Sequence, residues 1–155
     1  NIDCVDSSQS LIENFSKNTK NKKIKLHIAD ALNFVKKNKK TKYDAIILSG
    51  ILQNFDDFEL HQFVKYLKNV THEKTYLLIR VSIATNERIN VINQYSDALD
   101  ALYTAYYRTK KEINNVLKNY KLIFEQELYA NHEDSKTIFM VYKYNLWKIF
   151  FILCS

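Results

Sequence analysis

The chain has 155 residues, a formal net charge of +6 and 46% hydrophobic residues, which fits one globular domain with its own core. Its two cysteines, Cys4 and Cys154, offer neither a disulfide framework nor a zinc motif. No signal-peptide pattern is visible, so a cytoplasmic location is expected. Much of the basic excess lies in two lysine clusters, residues 17–25 and 36–42, for which solvated loops and nucleic-acid contact are the alternatives.

The first part of the chain alternates apolar runs with helical patterns. Strands are predicted at Ile2–Val5 and, from strict alternation, at residues 24–28. A helix with apolar residues at helical spacing is predicted after a cap at Ser7 or Ser8, and a second, shorter helix after Asp30.

The stretch from Tyr43 to Asp57 is the centre of the pattern. Ala45–Leu48 is a continuous apolar run, which predicts a strand covered on both faces. Gly50, the only glycine in the chain, follows where the strand ends, at the place where open α/β sheets bind ligands. The alternative is a buried strand and a turn with no ligand.

The second half of the chain begins with a capping-box pattern at Asp56 and Glu59, which predicts a helix through Leu67. A strand is predicted at Thr75–Ile83. The next prediction is a helix whose apolar face is formed by four residues, Leu99, Leu102, Tyr103 and Tyr106.

A second capping box, Thr109–Glu112, predicts another helix. Leu122–Tyr129 and Thr137–Tyr144 then predict an antiparallel hairpin across a polar loop. The chain is therefore expected to be an α/β domain over residues 1–145, with a mostly parallel sheet and an antiparallel C-terminal hairpin. Residues 146–155 form an apolar tail too short to span a bilayer, and we interpret it as a non-native extension, an added strand or an interfacial anchor.

This order of elements resembles a class I S-adenosylmethionine-dependent methyltransferase of the small-molecule type, with a Rossmann-like fold. Four stretches carry the resemblance: Cys4–Ser8, His27–Leu32, Tyr43–Ser49 and Leu52–Asp57. The resemblance implies that S-adenosyl-L-methionine is the cofactor and that a small molecule is the methyl acceptor.

The resemblance also implies a cofactor site. Asp6, with Ser7 beside it, would hold the ribose, since a carboxylate accepts two hydrogen bonds from a diol. Asp30 would accept from the adenine amino group, and the backbone of Ala31 or Leu32 would pair with the ring. A helix cap is the alternative role for both aspartates.

Ser49 and Gly50 would let the backbone approach the methionine end of the cofactor. The candidate acceptor-binding residues are Gln53, Tyr106, Tyr107 and Arg108. Their alternatives are a surface position for Gln53, a core position for Tyr106 and an ion pair for Arg108. No catalytic residue is assigned, and a capped helix start explains the acidic residues after Phe55 better than a metal site does.

The family's first strand and its glycine-rich turn have no counterpart in the sequence. In the family that strand lies inside the sheet, so its neighbours would keep unpaired edges. The expectation is a fragment that alone binds cofactor weakly or not at all. A non-catalytic relative acting as a partner subunit, and a nucleic-acid-binding or nucleic-acid-modifying protein, are the alternative functions. The oligomeric state is left open.

Overall fold

The computed structural model describes residues 1–97 and 99–144. The strands are β1 (Ile2–Asp6), β2 (Ile24–Ile28), β3 (Ala45–Ser49), β4 (Tyr76–Ala84), β5 (Ile89–Ser96), β6 (Ala101–Tyr107), β7 (Tyr120–His132) and β8 (Ser135–Tyr144). The helices are α1 (Gln9–Asn18), α2 (Ala31–Lys37), α3 (Asp57–Leu67) and α4 (Lys110–Val116), with a 3₁₀ turn at Leu52–Asn54. The predicted apolar tail, residues 146–155, lies outside the described residues.

The strands form a mixed α/β arrangement in which the parallel pairs carry the helical connections. β1 pairs in parallel with β2, and a second sheet has the order β3-β4-β8-β7. In that sheet β3 and β4 are parallel, whereas β8 is antiparallel to both β4 and β7. Within residues 1–97 and 99–144, no strand pairs with the second edge of β1 or of β3. The resemblance places one further strand between these two, and it predicts both unpaired edges.

The core lies against one face of the four-stranded sheet. Its strand residues alternate along β4 and β8 and are at most 2% exposed: Leu77, Ile79, Val81, Ile138, Met140 and Tyr142. Leu60, Phe63 and Leu67 repeat at helical spacing along α3 and are at most 1% exposed. Burial of each such side chain contributes about 1.5–3 kcal/mol, so this unit holds most of the folding free energy.

The prediction that β3 is covered on both faces is wrong. Leu48 is buried and Ile46 packs against the core, but Ile47 is 72% exposed. Alternate residues of a strand point to opposite faces, and no described element covers the face that carries Ile47. A continuous apolar run therefore does not by itself predict burial on both faces here.

Helix α1 forms where it was predicted, but it buries none of its residues. Ser8 is the cap, with its Oγ accepting from the Leu11 N–H at 3.4 Å. The apolar residues Leu11 and Phe15 are 59% and 44% exposed. Together with residues 4–6 of β1 they line an open groove of about 410 Å³.

The helix predicted from Leu99, Leu102, Tyr103 and Tyr106 is wrong, because this segment is a β-hairpin. β5 and β6 pair antiparallel as a separate two-stranded sheet, with a register shift between Val91 and Gln94. β6 is rich in tyrosine, and aromatic residues favour strands. The segment carries no glycine or proline to mark its turn, so it lacks the usual two-residue hairpin signal.

The other local predictions are confirmed. Both capping boxes form: the Asp56 carboxylate accepts from Glu59 N–H at 2.8 Å, and the Thr109 hydroxyl accepts from Glu112 N–H at 3.3 Å. The closing hairpin also forms, and its strands are longer than predicted. Only Glu133 and Asp134 remain between β7 and β8.

A polar cluster links the β1–β2 sheet to the four-stranded sheet. The Asp3 carboxylate of β1 contacts His27 Nε2 at 2.7 Å and accepts from the Tyr43 hydroxyl, which precedes β3, at 3.0 Å. Partial burial opposes ionisation of Asp3, but these two hydrogen bonds leave its pKa below the usual value. Burial and the neighbouring Asp3 raise the pKa of Tyr43. The amino ends of β1 and β3 therefore lie side by side.

Candidate functional site

The carboxyl ends of the parallel strands bring the predicted cofactor residues to one end of the molecule. Asp6 ends β1 and stands beside Ile28, the last residue of β2. Ser49 ends β3 and stands beside Arg80 of β4. The contact through Asp3 lies at the amino ends of β1 and β3, whereas these residues lie at the carboxyl ends. This is the end of an open α/β sheet at which ligands bind.

Asp6 organises the turn that follows β1. Its Oδ1 accepts from the Ser8 N–H at 2.7 Å, and its backbone carbonyl accepts from the Ala29 N–H at 2.9 Å. The side chain is exposed. A carboxylate has about four acceptor positions, so Asp6 can accept further hydrogen bonds while it holds this turn. Ser7, between these residues, is also exposed.

Asp30 is the cap of α2, as the alternative role predicted. Its Oδ1 accepts from the Asn33 N–H at 2.9 Å. The N–H groups of Ala31 and Leu32 lie in the first helical turn and make no bond within the helix. The cap contact engages one oxygen only, so the remaining acceptor positions of Asp30 stay compatible with a ligand.

Gly50 makes the exit from β3 in a left-handed conformation, with φ +68°. Its N–H donates to the Arg80 carbonyl at 2.8 Å, which extends the β3–β4 ladder by one residue. A Cβ atom at Gly50 would lie 3.6 Å from Gln53 Nε2, an ordinary contact. Glycine is therefore favoured here by the backbone angle rather than by crowding.

Gln53 lies in the 3₁₀ turn beside Gly50, and its Oε1 atom is buried. Within the described part of the chain this oxygen has no hydrogen-bond partner. A buried polar atom without a partner costs about 1–3 kcal/mol, and such an atom beside the carboxyl end of a strand suits a donor supplied by a ligand. A surface position was the alternative for Gln53, but its Oε1 atom is buried.

Arg108 forms the predicted ion pair and is 2% exposed. Its Nη2 lies 2.7 Å from Asp57 Oδ1 and donates to the Phe55 carbonyl at 2.9 Å, and its Nη1 donates to the Leu52 carbonyl at 3.1 Å. These acceptors flank Gln53. These bonds hold the turn that contains Gln53, and the substrate-binding role of Arg108 stays a prediction.

The sequence analysis missed Arg88 and Asp57 as partners in this cluster. Arg88 Nη1 donates to Asp57 Oδ2 at 2.7 Å. Arg88 immediately precedes β5 and Arg108 immediately follows β6, so one carboxylate receives both ends of the hairpin. The hydrogen bond from Arg88, followed by that from Arg108, lowers the pKa of Asp57 to about 2.

The tyrosines of β6 lie at the base of the hairpin. The Tyr106 ring is 5.7 Å from the Arg88 guanidinium and 5.5 Å from that of Arg108, which is cation–π distance. Tyr106 is half-buried between charges rather than in the apolar core. On the other side of the strand, the Tyr107 and Tyr103 hydroxyls are 2.8 Å apart. Partial burial, and then this hydrogen bond, raise the pKa of Tyr107 to about 12.

Within residues 1–97 and 99–144, no group of three or more histidine, cysteine or acidic side chains is arranged to hold a metal ion. In the same residues, no helix combines the length and the apolar character that a membrane crossing requires.

Solved structures of methyltransferases share this fold. Burkholderia thailandensis 1,6-didemethyltoxoflavin-N1-methyltransferase, solved with 1,6-didemethyltoxoflavin and S-adenosylhomocysteine, superposes with a TM-score of 0.73 at 10% identity over 92% of this chain and 60% of that chain. A SAM-dependent methyltransferase from Methanosarcina mazei gives 0.72 at 11% identity, over 93% and 82%. Coclaurine N-methyltransferase, bound to N-methylheliamine and S-adenosylhomocysteine, gives 0.71 at 8% identity, over 91% and 60%.

The chain therefore has the Rossmann-like class I methyltransferase fold, as the sequence motifs predicted, and its described strands form two parallel and three antiparallel pairs. It spans about 60% of the length of the Burkholderia enzyme and of coclaurine N-methyltransferase. No family model and no curated protein sequence matches the chain.

Proposed function

We propose that this chain contributes to S-adenosyl-L-methionine-dependent methyl transfer to a small-molecule acceptor. The observation that supports the proposal is that Asp6, Asp30 and Gly50 each lie at or just after the carboxyl end of a parallel strand in a methyltransferase-type fold. The solved neighbours support it, since several carry S-adenosylhomocysteine, the product of that cofactor. A cytoplasmic location remains part of the proposal.

The residues at this end suit the cofactor. Asp6 and Asp30 each have one oxygen engaged in a backbone contact, and the remaining acceptor positions suit the ribose hydroxyls and the adenine amino group. Ser7 would stand beside the ribose. The N–H groups of Ala31 and Leu32 supply donors for the adenine ring.

The turn after β3 would hold the reacting end of the ligands. Ser49 and Gly50 leave space for the methionine part of the cofactor, and the buried Gln53 Oε1 would accept a hydrogen bond from the acceptor molecule. Tyr106 and Tyr107 would line the acceptor side at the base of the hairpin. Arg108 acts as a positioning residue through its bonds to the carbonyls that flank Gln53.

The bound cofactor would supply an electrophilic methyl group on a sulfonium sulfur. The protein's task is then to hold the nucleophile in line with that methyl group and to exclude water. A general base is needed only for a poor nucleophile, and no described residue is assigned to that role.

The test is calorimetric titration of S-adenosylhomocysteine into the chain and into three variants. We expect Asp6→Ala and Asp30→Ala each to weaken binding by about tenfold or more, since each would remove a charge-assisted hydrogen bond worth about 1.5–3 kcal/mol. Asp44→Ala removes the same charge at the opposite end of the sheet and should leave binding within about twofold. Equal affinities for all four proteins would contradict the roles proposed for Asp6 and Asp30.

A further inference from the structure

A second surface, at the opposite end of the sheet, is rich in lysine at the end of α2 and along the connection to β3. Six exposed lysines define this lysine face: Lys36, Lys37, Lys39, Lys40, Lys42 and Lys68. The first five follow one another along the chain, whereas the sixth follows α3. Their proximity in space is a property of the fold.

Specific contacts hold the two segments together. Lys42 Nζ donates to the Lys68 carbonyl at 2.8 Å, and Asn69 Nδ2 donates to the Val35 carbonyl at 3.1 Å. The Tyr66 ring, between the segments, has Lys36 Nζ at 5.7 Å on its face. The lysines at the end of α2, those in the loop before β3 and the lysine after α3 therefore form one surface.

Within residues 1–97 and 99–144, none of these six lysines forms an ion pair with an acidic side chain. The acidic residues in the neighbouring segments are Asp44, which contacts His72 at 3.1 Å, and Glu73. Asp44 and Glu73 offset only part of the charge of the six lysines, and surfaces with an excess of positive charge attract polyanions.

We propose that the lysine face binds the phosphate backbone of a nucleic acid. Repeated point charges along an exposed connection match the repeated charges of a phosphodiester chain. The large apolar side chains that are exposed in the described residues do not belong to the lysine face, and a membrane-binding surface would require them. Because this face is remote from Asp6 and Gly50, the nucleic acid serves as a tether and not as the methyl acceptor.

The test is fluorescence anisotropy with a labelled oligo(dT) strand over a range of salt concentrations. The variant Lys36→Gln, Lys37→Gln, Lys39→Gln, Lys40→Gln removes four charges and keeps the Lys42 contact that joins the two segments. The control Lys17→Gln, Lys20→Gln, Lys22→Gln, Lys23→Gln removes the same number of charges from the last turn of α1 and the loop that leads to β2. Circular dichroism melts establish that both variants fold.

We expect the lysine-face variant to bind at least about tenfold more weakly and the slope of log K against log salt to become shallower by about 2–3, at about 0.7 for each phosphate contact on a single strand. The control should stay within about twofold of the unmodified chain. An equal loss of affinity in both variants would show that net charge alone causes the effect, and this would overturn the proposal. Absence of binding would also overturn it, as would binding to anionic phosphatidylserine vesicles but not to oligo(dT). The proposal is independent of the methyltransferase proposal, which concerns the other end of the sheet.

Discussion

At the scale of single residues, the cluster around Asp57 is the most tightly constrained part of the structure. Its carboxylate receives Arg88 on one oxygen and Arg108 on the other. Arg108 lies 51 residues further along the chain than Asp57, so no local sequence pattern could pair them. The sequence offered an ion pair as one alternative for Arg108 but contained nothing to identify its partner.

Replacing Arg108 by methionine tests the role of this cluster. The change removes the donors of the Leu52 and Phe55 carbonyls and should lower the free energy of unfolding by about 3 kcal/mol. The Asp57 side chain is 56% exposed, so its lost ion pair adds only a small part of that effect. Urea unfolding is the measurement. The matched control is Lys111→Met at an exposed position of α4, which should change stability by less than about 0.5 kcal/mol; comparable losses in the two variants would contradict the prediction.

The lowered pKa of Asp57 also predicts that the stability of the chain depends on pH. Its pKa in the folded chain is lowered from 3.8 to about 2, so its contribution to stability is complete above pH 3.8 and is lost as the pH falls toward about 2. Relative to Asp57→Asn, the unmodified chain should lose stability over this interval, as measured by urea midpoints at several pH values. A constant difference between the two proteins from pH 5 to pH 2 would show that Arg88 and Arg108 do not stabilise the charged carboxylate.

Gly50 gives a third prediction at the residue scale. Because the site has φ +68° but ordinary space for a Cβ atom, Gly50→Ala should cost about 1–2 kcal/mol through the backbone alone. Asparagine tolerates this region better, so Gly50→Asn should cost less than the alanine variant. Thermal unfolding of both variants is the measurement, and equal losses would indicate crowding or a ligand contact instead of backbone strain.

At the scale of elements, local signals predicted the helices and strands well where side chains interact within a few residues. The two capping boxes and the closing hairpin are of this kind. The β5–β6 hairpin was missed because the apolar side chains in residues 99–106 fit helical spacing and no glycine or proline interrupts them. Exposure was also misjudged at Ile47, because burial depends on elements that lie far away in the chain.

The cap of α4 provides a prediction at the same scale. Thr109→Ala removes the side-chain acceptor of the Glu112 N–H and should lower the free energy of unfolding by about 1 kcal/mol. Thr109→Ser keeps the hydroxyl and should lie within about 0.3 kcal/mol of the unmodified chain. Chemical denaturation of both variants decides the matter. If serine and alanine are equally destabilising, the lost methyl group and not the cap is responsible.

At the scale of the whole molecule, stability is unevenly distributed. The buried residues of β4 and β8 belong to one core, whereas β1 and β2 contain no residue classed as buried. The candidate site contains residues from both parts. Asp6 ends β1, Asp30 comes after β2, and Gly50 comes after β3 of the four-stranded sheet. Sequence motifs could predict these candidate residues one by one. Only the structure shows that the strands that carry them differ in burial.

Native-state hydrogen exchange should reveal this inequality. Amides of Leu77 and Ile79 in β4 are expected to exchange only by global unfolding, and amides of Cys4 and Leu26 through openings at least about 2 kcal/mol less costly. Saturating S-adenosylhomocysteine should narrow the difference if Asp6 and Asp30 hold it, because a ligand stabilises the state to which it binds. Equal exchange free energies in both parts without ligand would show that the two sheets unfold as one unit.

The attachment of both hairpin ends to Asp57 has a consequence for how the protein could diversify. The β5–β6 hairpin leaves the main framework and returns to it at the same carboxylate, and Ala105 is its only buried residue within the described part of the chain. The hairpin is thus a segment that another hairpin could replace. Its sequence can change between Arg88 and Arg108 while these two anchors stay in place, and selectivity for different acceptors could evolve there without rebuilding the sheet.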